Sequence, residues 1–396
     1  MKKIFLTAIA LLTMASTQVF GMYGVSSGWI DFLVNGNQFR ARMGQLGFVL
    51  GNDTIKGTFG FVPNGADSYG QLLSSPDKVH YNFLPTISMG LGYTSSLISV
   101  GVGYNATISP NRWTKYNGKA DGKTTEAVAH TPVLTLTALD NAFRMAIPIQ
   151  VVHLADKDAS GNKGNVTAVS FDAQFRYYTG IEALTQVRLY LKYGNYGYNY
   201  TVGGVNEKGK FAESFGFDLR FYFGSMVEEV ALQPIVRLAY NGALGKQHTT
   251  PSVTAVGALN DAAKTVNTFE SNYDTNAAWK QGAWNLTIAP SLGLSAGSDV
   301  VSLYLEPSLG LKITQSGHAT QKVKEVYSLA YGIYSEVYIN PVKNLSWYFI
   351  VDIGNLSSSG YATDDTGKKT SDVSVSSSNY LHFDASTGFT WFLPAL

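Results

Sequence analysis

Polar and apolar side chains alternate along several segments between residues 166 and 224. In Val166–Thr179 the even positions are mostly polar or charged, and the odd positions are mostly apolar or aromatic. The same two-residue period runs through Thr185–Tyr193 and Phe211–Phe223. Because successive side chains of a β-strand point to opposite faces, each segment predicts a strand with one apolar and one polar face.

The two-residue period recurs along most of the chain, and counting back from its end gives about 14 strands. A first pair, Trp29–Val34 and Phe39–Leu50, would raise the count to 16. The phase of the alternation slips inside Phe39–Leu50, which a bulge near Gly44 would explain. Proline lacks the ladder donor and is disfavoured in a closed sheet, although bulges near one interface could accommodate the prolines inside predicted strands. These prolines are Pro85, Pro148, Pro234, Pro290 and Pro307.

Residues 1–21 have the features of a secretory signal peptide. Two lysines precede the apolar run Ile4–Met14, and the small residues Val19 and Gly21 suit the −3 and −1 positions of a cleavage site. The alternative is a buried N-terminal helix. The apolar run is too short to anchor the chain permanently as a spanning helix. The sequence therefore predicts a cleaved signal peptide over 1–21 and an exported domain over 22–396.

Export and the strand pattern together predict the fold class. After the signal peptide, no segment is long and apolar enough to span a bilayer as a helix. Only helices and closed barrels satisfy every backbone polar group inside lipid. The sequence therefore predicts an all-β fold, a single transmembrane antiparallel β-barrel of about 14–16 strands in the outer membrane. Both strand counts are even, as expected for bacterial barrels.

The predicted connections between strands alternate between short and long. Outer-membrane barrels have short periplasmic turns and long outer loops. The long segments are polar, and we expect them to face outward, where host antibodies or surface ligands would bind. They run roughly over 63–78, 108–129, 154–165, 203–210, 244–282, 315–325 and 358–377.

Composition and charge narrow the range of partners. The chain has 40 Gly, 24 Tyr and 21 Phe, and only 14% of its residues are charged, which suits lipid contact and aromatic girdles at the two interfaces. Removing two lysines with the signal peptide changes the formal charge from +1 to −1, so nucleic acid is not an expected partner. The absence of cysteine excludes a disulfide scaffold.

Charges on the polar faces separate by sign along the chain. We call the first group the basic arc and the second the acidic arc. The basic arc is Arg144, Arg176, Arg188, Lys192, Arg220 and Arg237, and the acidic arc is Glu306, Glu336, Asp352 and Asp384. A closed sheet would set the arcs against each other across the lumen. One interpretation is a transverse field in a water-filled pore. The other is a packed lumen in which the charges pair and only stabilise the fold.

Signals for catalysis, metal or cofactor binding are weak. His382 and Asp384 share a strand face, but such neighbours arise by chance on a polar face, and a nucleophile with its base is not evident. Asp156–Gly161 resembles the start of a calcium loop, yet its twelfth position is Thr167 instead of Glu. The sequence therefore predicts no enzyme, no metal and no cofactor.

Four N-terminal segments carry a family resemblance. They are Gly21–Gly24 (GMYG), Trp29–Leu33 (WIDFL), Asn35–Arg42 (NGNQFRAR) and Gln45–Gly51 (QLGFVLG). Together they resemble the variable surface proteins of the spirochaetes Brachyspira, formerly Serpulina. The resemblance implies a surface-exposed outer-membrane protein, one of several paralogues that differ mainly in their loops, with a role in antigenic variation and host contact. It brings no catalytic residues.

Three functional classes follow from the sequence and the resemblance. A variable surface antigen that contacts the host is the leading one, and the same barrel could also act as a passive pore. The main alternative is a general porin for small polar solutes, and a barrel enzyme is the least supported. The expected partners are outer-membrane lipid and, at the outer loops, host antibodies or surface ligands. A homo-oligomer is one assembly state that the sequence allows.

Overall fold

The computed structural model describes residues 26–394, except for 43–44, 63–85, 117–118, 158–162, 203–204, 228, 248–279, 316, 319–324, 356–358, 364–368 and 375–380. The predicted signal peptide lies outside the described residues. Within them, none of the helical segments combines the length and the apolar character needed to cross a membrane.

Sixteen of the described strands form one closed antiparallel sheet. They are β1 (Gln38–Arg42), β2 (Gln45–Gly51), β3 (Ile55–Val62), β4 (Thr86–Tyr93), β5 (Ile98–Tyr116), β6 (Lys119–Ala138), β7 (Phe143–Lys157), β8 (Lys163–Tyr178), β9 (Leu184–Val202), β10 (Val205–Phe223), β11 (Val230–Ala243), β12 (Trp284–Gly297), β13 (Val301–Gln315), β14 (Val326–Val342), β15 (Leu345–Asn355) and β16 (Leu381–Phe392). Each strand pairs with its sequence neighbours, and β16 pairs with β1. The ring therefore has no free edge, and the predicted all-β barrel is confirmed.

Alternation along each strand separates the two faces of the wall. In β4, Thr86 and Ser88 are buried inside the barrel, whereas Ile87, Met89 and Leu91 are exposed on the outside. Similar exposed apolar side chains occur on most other barrel strands. The outer surface is therefore apolar and suits lipid, and the polar face of each strand turns toward the lumen.

The first predicted strand pair is wrong in detail. Residues 29–34 do not form a strand, because Ser26–Asp31 is a 3₁₀-helix followed by a turn. The segment Phe39–Leu50 is two strands, β1 and β2, with Arg42 paired to Gln45. Paired residues share a face, so Phe39 and Phe48 both point outward although one number is odd and the other even. The phase slip thus marks a change of strand, not a bulge.

The four prolines that the structure describes sit in the barrel strands without bulges. Pro234 pairs with Leu292, Pro290 with Val236 and Pro307 with Ile333 without a shift in register. Beside Pro148 the β7–β8 pairing skips two positions and resumes in the same register. Each residue of a ladder donates to only one neighbouring strand, so one proline removes a single bond. Pro85 lies outside the described residues.

The two ends of the barrel differ, although less than predicted. One end carries only short turns, such as residues 94–97 and 343–344. At the other end, the loops expected at 108–129 and 203–210 are largely strand, since β5 and β6 reach Tyr116 and Lys119, and β9 and β10 reach Val202 and Val205. These segments are polar on both faces, so the alternation of polar and apolar residues disappears there. The backbone pairing continues, because it needs no apolar side chains. The expected loops 63–78 and 244–282 lie mostly outside the described residues.

Candidate functional site in the barrel lumen

An N-terminal segment, Ser26–Val34, lies inside the barrel, and we call it the plug. Trp29 and Phe32 are 0% exposed, and Ile30 and Leu33 are also buried. The segment contacts β6, β7 and β8. A segment that the pattern of apolar residues assigned to the wall therefore fills part of the lumen.

Glycines on the inner face of β4 and β5 make room for the plug. A Cβ atom on Gly103 would lie 2.3 Å from the Trp29 ring, and one on Gly90 would lie 2.6 Å from it. A Cβ atom on Gly92 would lie 2.4 Å from the Leu33 side chain. These distances are well below van der Waals contact, so any larger residue would displace the plug.

Two members of the predicted basic arc hold the plug instead of facing water. The Asp31 carboxylate lies 2.7 Å from Nη1 of Arg144 and 2.8 Å from Nη1 of Arg176. Asp31 and Arg176 are both almost fully buried, and a buried carboxylate is stable only with such charged partners. Lys56 on β3 adds hydrogen bonds from Nζ to the backbone carbonyls of Leu33 (2.7 Å) and Asn35 (2.8 Å).

Arg220 and Arg237 share one carboxylate on the lumen wall. Asp218 forms an ion pair with each of them: its Oδ2 lies 2.7 Å from Nη2 of Arg220 and 2.8 Å from Nη2 of Arg237. Lys192 lies farther away from its partner, with Nζ 4.0 Å from Asp172 Oδ2. The basic arc is therefore partly neutralised by aspartates between its members.

Arg188 has a different environment. Its Nε donates to Oε1 of Gln186 over 3.0 Å, and its guanidinium lies 4.5 Å from the centroid of the Tyr222 ring. Among the described residues, no carboxylate forms an ion pair with it. An aromatic ring stabilises a cation without neutralising it, so this positive charge remains uncompensated.

Hydroxyl groups donate hydrogen bonds to two carboxylates of the acidic arc. Glu306 accepts hydrogen bonds from Ser291 Oγ (2.8 Å) and from Tyr304 OH (2.6 Å). Glu336 accepts hydrogen bonds from the hydroxyl groups of Tyr334 and Tyr338. Asp352 is exposed to the lumen, and its backbone pairs with that of Asp384, whose side chain lies outside the described part of the structure. The hydroxyl donors hold Glu306 and Glu336 in place.

A cavity of about 420 Å³ joins the two arcs. Its polar lining comes from both sides of the lumen: Arg188, Arg220, Arg237, Gln233, Tyr222, Tyr304, Glu306, Ser308, Tyr334, Glu336 and Asp352. Three basic and three acidic residues from the predicted arcs thus meet around one space. Arg144, Arg176 and Lys192 do not line it, and the side chain of Asp384 lies outside the described ones.

Sequence reasoning missed the plug and its ion pairs. Trp29–Val34 is apolar enough to look like a strand, and nothing local distinguishes it from wall. One signal was available, because the adjacent strands carry glycines at alternate inner positions, where a pore wall would normally carry larger polar residues. The pair His382 and Asp384, considered for catalysis, falls on side chains outside the described ones.

A closed sixteen-strand ring with an apolar outer face and a polar lumen defines this chain as an outer-membrane β-barrel protein. A family model described as Serpulina hyodysenteriae variable surface protein matches residues 2–392. The chain therefore belongs to the variable surface protein family, which confirms the resemblance seen in its N-terminal segments.

Three solved structures with some similarity to this chain all have low sequence identity. The copper transporter OprC is 10% identical with a TM-score of 0.42, over 75% of this chain and 50% of that one. CdiB from Escherichia coli is 10% identical with a TM-score of 0.42, over 90% and 62%. OmpT of Vibrio cholerae is 10% identical with a TM-score of 0.32, over 90% and 97%. This chain spans about half the length of OprC. No curated protein matches it.

Proposed function

We propose that this protein is a surface-exposed antigen, in which the barrel is a scaffold that presents long segments to the outside of the cell. Membership of the variable surface protein family supports this role. The observation that carries the proposal is the asymmetry of the two barrel ends. Residues 63–85, 244–283 and 356–380 connect strands at the same end, whereas no connection at the opposite end is longer than residues 224–229. We assign no catalytic role to the barrel.

The orientation is tested by placing the same epitope tag at the two ends. A tag inserted within residues 248–279 is expected to bind antibody on intact cells. The matched control is the tag inserted at residues 298–300, in a short turn, which is expected to bind only after the outer membrane is permeabilised. If the turn tag binds on intact cells while the loop tag does not, the proposed orientation is wrong.

The antigen role is tested with sera raised against intact cells. Replacing residues 248–279 by a short Gly-Ser linker is expected to remove a large part of serum binding, since long surface connections supply accessible and adaptable contacts. The matched control replaces residues 182–183 in a short turn. Equal serum binding to both variants and the parent would contradict the proposal.

The mature protein should also begin at Met22, which mass spectrometry of the N-terminal peptide would check.

A passive pore is the second candidate function, and the cavity between the arcs favours it. A sixteen-strand barrel is wide enough to leave an aqueous channel, and no described residue of the plug lines the cavity. We expect discrete conductance steps from the refolded chain in a planar bilayer, with a changed ion selectivity in Arg188→Gln. A heat-modifiable, inserted chain that stays silent would contradict the pore and leave the antigen role unaffected.

A further inference from the structure

The cavity between the arcs has an uncompensated charge of each sign on opposite walls. On the basic wall, Asp218 neutralises one of the two positive charges of Arg220 and Arg237. Arg188 donates to Gln186 and lies over the Tyr222 ring, and among the described residues it forms no ion pair with a carboxylate. This wall keeps an excess of positive charge. Arg188 is only 5% exposed, so its charge is poorly hydrated as well as uncompensated.

The opposite wall keeps an excess of negative charge. The carboxylate of Glu306 receives two hydrogen bonds, and both donors are neutral hydroxyl groups. Asp352 lines the same cavity and, among the described residues, forms no ion pair. The hydroxyl groups of Tyr304 and Ser291 orient Glu306 without removing its charge. A cation that enters the cavity would therefore find a fixed and unneutralised carboxylate on this side.

We propose that this cavity binds small zwitterions that carry an ammonium and a carboxylate group, such as amino acids and short peptides. The solute carboxylate would pair with Arg188, whose planar guanidinium suits bidentate contact. The solute ammonium would pair with Glu306 and Asp352. A volume of about 420 Å³ lies in the range of about 300–1,000 Å³ that small-molecule sites occupy. Tyr222 and Tyr304 also line the cavity.

The inference names the solute class of the proposed pore, yet binding does not require conductance. A general porin field would favour ions of one sign, or separate ions of opposite sign along two walls. A zwitterion instead satisfies both walls in one molecule, and its two charges are covalently linked, so the second contact forms at a high effective concentration. This distinction makes the ligand class testable with three related probes.

The experiment is titration calorimetry on the folded full chain in detergent micelles. The probes are alanyl-alanine, which is zwitterionic, N-acetyl-alanyl-alanine, which is anionic, and alanyl-alanine amide, which is cationic. We expect saturable binding of the zwitterion, about tenfold or more tighter than either blocked probe, because each blocked probe loses one charge-assisted contact. Equal affinities for all three, or no saturable binding up to about 10 mM, would overturn the proposal.

Two variants assign the walls. Arg188→Gln is expected to weaken alanyl-alanine and the acetylated probe, and to leave the amide probe unchanged. Asp352→Asn is expected to do the reverse, and because Asp352 is exposed, this variant should fold even if Arg188→Gln does not. Lys343→Gln and Glu229→Gln are the matched controls, since both residues are exposed in short turns away from the cavity. Loss of all three probes to the same degree in either wall variant would contradict the two-wall assignment.

Conductance recorded on the same preparation separates this inference from the proposed pore. Zwitterion binding by a chain that passes no current would support the site and contradict the pore. Conductance without preference for the zwitterion would support the pore and overturn the site.

Discussion

Two sides of the lumen wall have the same alternation of polar and apolar residues, but one side packs against the plug and the other lines a cavity. On the side of β4–β8, the plug covers the wall, and glycines such as Gly90 and Gly103 leave the space that the Trp29 ring fills. On the side of β9–β15, the inner positions carry large charged and aromatic residues that surround a cavity. The difference shows that a two-residue period does not distinguish a wall that packs against protein from a wall that lines a cavity.

The two sides also use the same charges differently. Arg144 and Arg176 pair with Asp31 and stabilise the plug, whereas Arg188 lies at the cavity without a carboxylate partner among the described residues. All three belong to the basic arc predicted from the sequence. A row of like charges therefore does not by itself indicate a pore, since the segments that fold inward determine which charges remain available.

The largest expected effect comes from Asp31→Asn. The change leaves Arg144 and Arg176 without their shared carboxylate, and breaking a buried pair costs about 3–5 kcal/mol. We expect a lower urea midpoint for the chain in lipid vesicles and faster cleavage within residues 26–34 by added protease. Asp53→Asn, in an exposed turn, is the matched control. An unchanged midpoint together with unchanged cleavage would show that the ion pairs do not hold the plug.

Gly103→Ala tests the fit of the plug against the wall. Its Cβ atom would lie 2.3 Å from the Trp29 ring, and forced overpacking costs about 1–3 kcal/mol. Gly57→Ala is the matched control, because a Cβ atom there would have no neighbour nearer than 3.9 Å. Tryptophan fluorescence should shift toward that of a solvated ring in Gly103→Ala alone. Identical spectra and stability in the two variants would contradict the packing of Trp29 at this position.

Asp218→Asn sharpens the cavity side of the comparison. The change removes the carboxylate that neutralises Arg220 and Arg237, so the basic wall gains positive charge. If the chain conducts, the ratio of anion to cation permeability should rise about twofold to tenfold, because charged clefts concentrate counter-ions. Reversal potentials across a salt gradient measure this ratio, and Asp299→Asn in an exposed turn is the control. A shift toward cations would contradict the assignment of the basic wall.

The smallest effect is expected at Lys210→Gln. Lys210 pairs with Glu213 at 2.8 Å, but its side chain is 68% exposed, and such pairs contribute little to stability. The urea midpoint and the conductance should both stay at the parent values. A clear change in the urea midpoint or the conductance would mean that charges outside the lumen also control stability or ion passage.

The wall was predictable from the sequence because its physics is local. Alternation along Val166–Thr179 and Phe211–Phe223 follows from one face meeting lipid and the other meeting the lumen, and each strand carries that signal by itself. Arg188 and Glu306 were both expected on inward faces, and both line the cavity. Even the count of sixteen came within the predicted range, although Trp29–Val34 was wrongly included as a strand.

The contents of the lumen were not predictable for a physical reason. Trp29 and Phe32 are apolar, and a sequence pattern does not distinguish an apolar face that meets lipid from one that meets the inside of a wall. The ion pairs of Asp31 join residues more than 100 positions apart, so they depend on how the chain folds back into the barrel. The strand extensions at Tyr116 and Val202 were missed because pairing continues where hydrophobic alternation has ended.

The plug is joined to β1 by residues 35–37 alone. A chain extends at most about 3.6 Å per residue, so this link spans roughly 11 Å. A plug that left its seat would therefore remain next to the barrel mouth, at an effective concentration on the order of millimolar. Its return is a first-order event that does not depend on how many copies the cell makes. The chain itself thus restores the plug to its place in the lumen. Diluting the protein would leave the plug bound there, whereas diluting a separate blocking subunit would release that subunit.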